Sequence, residues 1–123
     1  MKEGKDVTGE VNQQHIRGAF IQALQDFCWE EMGMRPRRVK VDFGHDAVMM
    51  LLEQALSPAE MRTAQTEEGA TLLKVYEERL LDAASPRLQR LVEEAVKRRV
   101  TGIHVHADVY SGNVIGVFLL AEE

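Results

Sequence analysis

Three side chains that can bind a metal ion stand at alternate positions near the end of the chain: His104, His106 and Asp108. In an extended strand alternate residues lie on one face, so this His-x-His-x-Asp spacing predicts neighbouring ligands of the kinds that zinc accepts. The other interpretation is the solvated outer face of an edge strand. A metal-dependent enzyme would also need an activated water and a base. The sequence names neither, so no catalytic residue and no cofactor is predicted.

A short basic cluster is the second group of residues that could bind a ligand. Its members are Arg35, Arg37, Arg38 and Lys40. No aromatic residues are interleaved with them, so the base stacking that is typical of nucleic-acid sites is not indicated. The formal net charge of −5 also argues against a general affinity for nucleic acid or anionic lipid. The two main interpretations are a solvated surface and a binding site for an anionic partner surface. Nucleic-acid binding through these residues ranks last.

The metal-ligand candidates lie in a predicted β-hairpin. Apolar residues alternate with them from Ile103 to Val109, and Ser111-Gly112-Asn113 provides the turn. The return strand, residues 114–120, is apolar at nearly every position. Such a strand is typical of the centre of a sheet, so we expect it to be covered on both faces.

A second hairpin of the same kind is predicted earlier in the chain. Residues 39–43 alternate in polarity, Gly44-His45-Asp46 turns the chain, and residues 47–52 are continuously apolar. Pairing the two apolar strands at the centre gives a four-stranded, mainly antiparallel sheet of order 1-2-4-3. Helices must cover this sheet, so the predicted fold class is α+β, with three or four helices.

The first helix follows a polar segment, residues 1–10, that is predicted to be flexible. From about residue 11 to residue 32, apolar residues recur at spacings of three and four, the pattern of an amphipathic helix. Gly33 ends this helix, and Pro36 prevents it from resuming. The length of 123 residues suits one domain, which we assign to residues 11–123.

A later helix is predicted to begin at a capping box formed by Ser57 and Glu60. The predicted apolar stripe of this helix consists of Met61, Ala64, Leu72, Val75, Tyr76 and Leu80. Gly69 interrupts the stripe and leaves open whether there is one helix here or two. Ser85-Pro86 has the form of a further helix start.

The composition favours the cytoplasm. Cys28 is the only cysteine, so it forms no intramolecular disulfide, which fits a reducing compartment. The first ten residues lack the apolar core of a signal peptide. The longest apolar runs fall well short of the roughly 20 residues of a membrane-spanning helix. A role at the inner face of the cell membrane would therefore go through a partner, without direct insertion.

Several motifs, in this order along the chain, are similar to those of the bacterial MpsC-like family. They are the Gly33-Met34-Arg35-Pro36 loop, the helix start from Leu56 to Glu60, Arg79, and a closing hairpin with Gly102, Asp108, Val117, Phe118 and Leu119. The resemblance covers residues 12–120. It implies an accessory protein of a membrane cation or inorganic-carbon transport system, and it supplies no catalytic residues.

Two hypotheses of function follow. The first is a non-enzymatic cytoplasmic interaction domain, a homodimer that binds a protein partner and docks on a membrane complex. If helices cover only one face of the sheet, the other face exposes apolar side chains, and dimerisation would bury them. The second hypothesis is a metal-binding protein or metal-dependent enzyme that uses His104, His106 and Asp108.

Overall fold

A computed structural model describes the backbone of residues 2–122 and the side chains of residues 14–122. The elements, in chain order, are α1 (Lys2–Met32), β1 (Arg38–Phe43), β2 (Ala47–Glu53), α2 (Pro58–Thr63), α3 (Glu67–Val96), β3 (Val100–Asp108) and β4 (Asn113–Leu120). The fold class is α+β, as predicted. Helix α1 begins before residue 11, because no proline interrupts the segment and a helix can continue beyond its apolar stripe.

The four strands form one antiparallel sheet in the order β1-β2-β4-β3, which confirms the predicted order. Each hairpin therefore contributes one central strand and one edge strand. The turn between β3 and β4 depends on Gly112, whose φ of +80° lies in the left-handed region. The carbonyl of Gly112 accepts hydrogen bonds from the backbone N–H groups of Ala55 and Leu56, which joins this turn to the end of β2.

The core lies between the two long helices and one face of the sheet. Its fully buried side chains include Leu24 and Cys28 of α1, Leu88 of α3, and Val48 and Phe118 of the central strands. Burial raises the pKa of the Cys28 thiol to about 11, so the thiol is un-ionised at neutral pH. Within the part of the chain that the structure describes, the central strands are covered on one face only, because α1 and α3 pack on the same side.

The predicted capping box of α2 is present. The Ser57 hydroxyl accepts a hydrogen bond from the backbone N–H of Glu60, and the Glu60 carboxylate accepts one from the backbone N–H of Ser57. Two helices, not one, follow it, because the side chain of Thr66 caps the start of α3 by accepting from the N–H of Gly69.

The predicted helix start at Ser85-Pro86 is wrong, since Pro86 lies inside α3. Proline removes one backbone hydrogen bond from a helix, a cost that packing on both sides of it can offset. The buried positions of α3 pass without interruption across the proline: Leu73, Glu77, Leu81, Ala84, Leu88 and Val92. The continuous stripe explains why the helix does not restart there.

Candidate interaction surface

One face of the sheet is left uncovered by the part of the chain that the structure describes, and we call it the open face. Because strand residues alternate between faces, it holds the side chains that do not enter the core. The strand pairing arranges most of them in three rows, each running from β1 through β2 and β4 to β3, and Leu119 lies in a shorter fourth row beside Ala47. The three rows are Arg38, Glu53, Asn113 and Asp108; Lys40, Leu51, Ile115 and His106; and Asp42, Met49, Val117 and His104.

The centre of the open face is apolar, and its edges are polar. Met49 of β2 is 51% exposed, and Ile115 and Leu119 of β4 are 46% and 40% exposed. Leu51 and Val117 lie between them and are half-buried. We call these five residues the apolar band. A band of this kind, bordered by charged residues, is typical of a protein-binding surface.

The predicted metal ligands lie on the β3 edge of the open face. His104 and His106 are exposed neighbours on the same side of the strand, as the spacing predicted. Asp108 is engaged in the β3–β4 turn, where its carboxylate accepts hydrogen bonds from the Ser111 hydroxyl at 2.8 Å and the Tyr110 N–H at 3.1 Å. These bonds lower the pKa of Asp108. Among the described side chains, no three of the His, Cys, Asp and Glu residues are grouped to hold a metal ion.

The four basic residues are only partly grouped in the structure. Arg35 stacks on the ring of Trp29, with its guanidinium carbon 3.9 Å from the ring centroid. Arg38 and Lys40, on the β1 edge of the open face, both contact the carboxylate of Glu53, at 2.7 Å and 3.5 Å. The hydrogen bond from Arg38, and then the positive charges of both residues, lower the pKa of Glu53.

The fourth basic residue, Arg37, lies in a shallow polar cleft of about 540 Å³ at one end of the sheet, beside Glu53 and Gln54. Its guanidinium is 3.5 Å from the side-chain oxygen of Gln54, a weak hydrogen bond. Arg38 lines the same cleft, so Arg37 and Arg38 lie together, whereas Arg35 lies apart from them against Trp29.

Two charged residues of structural importance were not predicted from the sequence. The side chain of Arg98 donates hydrogen bonds to the carbonyl of His45, at 2.6 Å, and to that of Ala121. Arg98 lies two residues after the end of α3, so it ties the end of this helix to the turn of the first hairpin and to the end of β4.

The second is Glu77 of α3, which is only 1% exposed. Neither of its carboxyl oxygens has a hydrogen-bond partner of good geometry, and the nearby carboxylate of Glu60 acts on it. Burial, and then the proximity of Glu60, raise the pKa of Glu77 to about 8. A protonated Glu77 can donate to Glu60, and this stabilises the ionised form of Glu60.

Part of the apolar stripe predicted for α3 is wrong, because three of its residues are exposed. Leu72, Val75 and Tyr76 point to solvent, with Leu72 63% exposed. They were predicted to be core residues, but the buried stripe runs one position later in the sequence, through Leu73 and Glu77. The buried stripe continues through Leu88 and Val92, and this determines which side of α3 faces the core.

In the part of the chain that the structure describes, none of the helices has the length and hydropathy of a membrane span. A family model described as "Na+-translocating membrane potential-generating system (MpsC)" matches residues 12–122, which is nearly the whole chain. No curated protein and no solved structure match the sequence.

Proposed function

Because the chain belongs to the MpsC family of Na+-translocating membrane potential-generating systems, we propose that it is a non-enzymatic accessory component of such a system that acts by binding proteins. It works in the cytoplasm and reaches the membrane through a partner, and it forms a homodimer. The family description supports the link to a membrane potential-generating system. The binding role rests on one observation, the apolar band of the open face.

The apolar band has free energy to contribute on binding. Transferring an exposed aliphatic side chain fully out of water is worth about 1.5–3 kcal/mol. Met49, Ile115 and Leu119 each keep roughly half of their surface in contact with water. A partner that covered them would therefore gain about 1 kcal/mol from each. The band is also preorganised, since it lies on two hydrogen-bonded central strands and little ordering is needed on binding.

The charged groups around the apolar band support a binding role more than a catalytic one. Glu53 is paired with Arg38 and Lys40 within the same chain, and Asp108 accepts hydrogen bonds from its own turn. Charged residues that are held in this way at the rim of an apolar surface select a partner and orient it. The group with the most perturbed acidity, Glu77, is buried on the opposite side of the sheet, among the helices.

The test is complementation of a strain that lacks the gene. We expect the deletion to lower the membrane potential, measured with a potential-sensitive dye, and to slow sodium export. Wild-type protein restores both, whereas Ile115→Asp, which places a charge in the apolar band, does not. Leu72→Asp is the matched control, because Leu72 is an exposed leucine on α3, away from the open face.

A deletion that leaves the membrane potential and sodium export unchanged would overturn the proposed function. His106→Ala in the same strain addresses the metal hypothesis. The interaction role predicts that this variant restores the membrane potential at least in part, whereas an essential metal ligand would give the result of the deletion.

A further inference from the structure

We propose that the open face is the interface of a symmetric dimer, in which a second copy of this chain lies face to face on the first. The twofold axis runs parallel to the strands and passes between β2 and β4. This inference rests on the proposed binding role of the open face and names its partner. It follows from the strand register, which makes the face complementary to itself.

The symmetry decides which residues meet. A twofold axis parallel to the strands keeps each row at its own level and exchanges the two sides of the sheet, so β1 of one copy faces β3 of the other, and β2 faces β4. The pairs at the edges are Arg38 with Asp108, Asp42 with His104, and Lys40 with His106. The first two pairs bring groups of opposite or complementary charge together, and each pair occurs twice in the dimer.

The middle of the interface is apolar. Leu51 of one copy faces Ile115 of the other, and Met49 faces Val117. Four of the five residues of the apolar band are thus matched with one another, and the fifth, Leu119, faces Ala47. The polar residue of the central strands, Glu53, faces Asn113, an amide that can donate a hydrogen bond to a carboxylate.

The alternative twofold axis, perpendicular to the strands, matches the face less well. It reverses the order of the rows about the middle one, so Lys40 would face Lys40 of the second copy. It would also place the carboxylate of Glu53 over Met49. The edge charges do not distinguish the two axes, because the perpendicular axis also pairs Arg38 with Asp42 and Asp108 with His104. Burying the carboxylate of Glu53 on an apolar side chain is unfavourable, so the position of Glu53 favours the axis parallel to the strands.

The twist of the sheets does not disturb this matching. Stacked sheets pack with their strands about 30° apart, which shifts residues on the edge strands by about 4 Å along the strand. Rows on one face of a sheet are about 7 Å apart, so each edge residue stays nearest to its own row. The long side chains of Arg38 and Lys40 can span the difference.

The size of the face predicts a weak dimer. Four strands about 4.8 Å apart, with about seven residues each, present roughly 400 Å² in projection. Both copies contribute to the total, and protruding side chains make each surface larger than its projection. The total buried area is therefore about 1,000 Å², the lower limit for specific interfaces. We therefore expect dissociation constants in the micromolar range.

The experiment exchanges the charges of one predicted pair. Asp42 and His104 lie on opposite edge strands, about 14 Å apart within one chain, so they do not contact each other in the monomer. His104→Asp would place two carboxylates opposite each other, and Asp42→Arg would remove the acidic partner of His104. Sedimentation equilibrium measures the dimer constant of each variant, and circular dichroism checks that each one folds.

We expect each single variant to weaken dimerisation about five- to tenfold, because the change occurs twice in the symmetric dimer. The double variant, Asp42→Arg with His104→Asp, restores it to within about twofold of wild type, and an equimolar mixture of the two single variants forms heterodimers in preference to homodimers. Under the perpendicular axis the double variant would be the weakest of all, since it would place position 42 opposite Arg38.

Three results would overturn the inference: wild-type protein that is monomeric into the millimolar range, a double variant weaker than either single variant, or single variants with unchanged dimerisation. These outcomes are separate from those of the proposed function. Monomeric protein that still restores the membrane potential would refute the dimer alone, and a dimer whose deletion has no effect would refute the proposed function alone.

Discussion

Replacing the buried Glu77 by glutamine is expected to change how the stability of the protein depends on pH. In the folded chain the pKa of Glu77 is raised from 4.5 to about 8, by burial and then by the neighbouring Glu60. Between these two values the folded state holds a proton that the unfolded state has lost. The free energy of unfolding therefore falls with rising pH, by about 1.4 kcal/mol per pH unit.

The full loss amounts to about 5 kcal/mol and is complete above about pH 8. That is a large part of the 5–15 kcal/mol by which folded domains are typically stable, so the wild-type protein should be markedly weakened in mildly alkaline solution. Glutamine has nearly the same shape, cannot ionise, and can still donate a hydrogen bond to Glu60. Glu77→Gln should therefore remove this decline in stability with pH.

Glu60 makes the stability of the protein depend on pH in the opposite direction. Its burial alone would raise its pKa, but hydrogen bonds from Glu77 and Ser57 outweigh burial and lower it. Because the folded state favours the ionised Glu60, its contribution to stability is present at neutral pH and is lost on acidification. Wild-type stability should thus be greatest in mildly acidic solution.

The assay is urea unfolding, followed by circular dichroism, at steps from about pH 5 to about pH 9. We expect the wild-type curve to decline through this range and the curve of Glu77→Gln to stay nearly level. Glu78→Gln is the control, because Glu78 is exposed on the same helix and should decline as wild type does. Parallel curves for the wild type and Glu77→Gln across this range would refute the reasoning.

Two further predictions concern the framework that holds the open face, and urea unfolding tests both. Arg98→Ala removes the hydrogen bonds to two backbone carbonyls and should cost about 1–3 kcal/mol, whereas Arg99→Ala, at an exposed position, should have little effect. A methyl group at Gly116 would meet the side chain of Met50 at 2.8 Å, so Gly116→Ala should cost about 1–3 kcal/mol. Gly18→Ala, in open space within α1, should instead stabilise by about 0.5–1 kcal/mol. Equal effects of either variant and its control would contradict the corresponding contact.

The sheet and its strand order could be predicted because the signals are local and agree with one another. Strands with a continuous apolar sequence belong at the centre, and alternating strands belong at the edges. The placement of His104 and His106 on one face follows from the same alternation. The capping box at Ser57 is also a local signal, since all of its hydrogen bonds lie within four residues.

The phase of α3 was predicted wrongly because a glutamate occupies a core position. With Glu77 counted as polar, the apolar residues Leu72, Val75 and Tyr76 form the more convincing stripe. The second half of the helix carries a cleaner pattern, and extending it backwards in steps of three and four leads through Leu81 to Glu77. A buried acid whose pKa is raised is compatible with such a position, because it is neutral when protonated.

The pairing across the open face could not be predicted from the sequence, because it depends on register between strands distant in the chain. The level at which Asp42 and His104 lie is set by three strand pairings. One of them contains an irregularity between Val100 and Gly102, and a slip of one residue there would reverse the faces of β3.

The most direct test of the central claim, that this is an interaction domain acting through its open face, is native mass spectrometry of the untagged protein. One spectrum reports both the oligomeric state and any bound metal. We expect a metal-free dimer for the wild type and a monomer for Ile115→Asp. A stoichiometric divalent metal, or a dimer that persists in Ile115→Asp, would contradict the account.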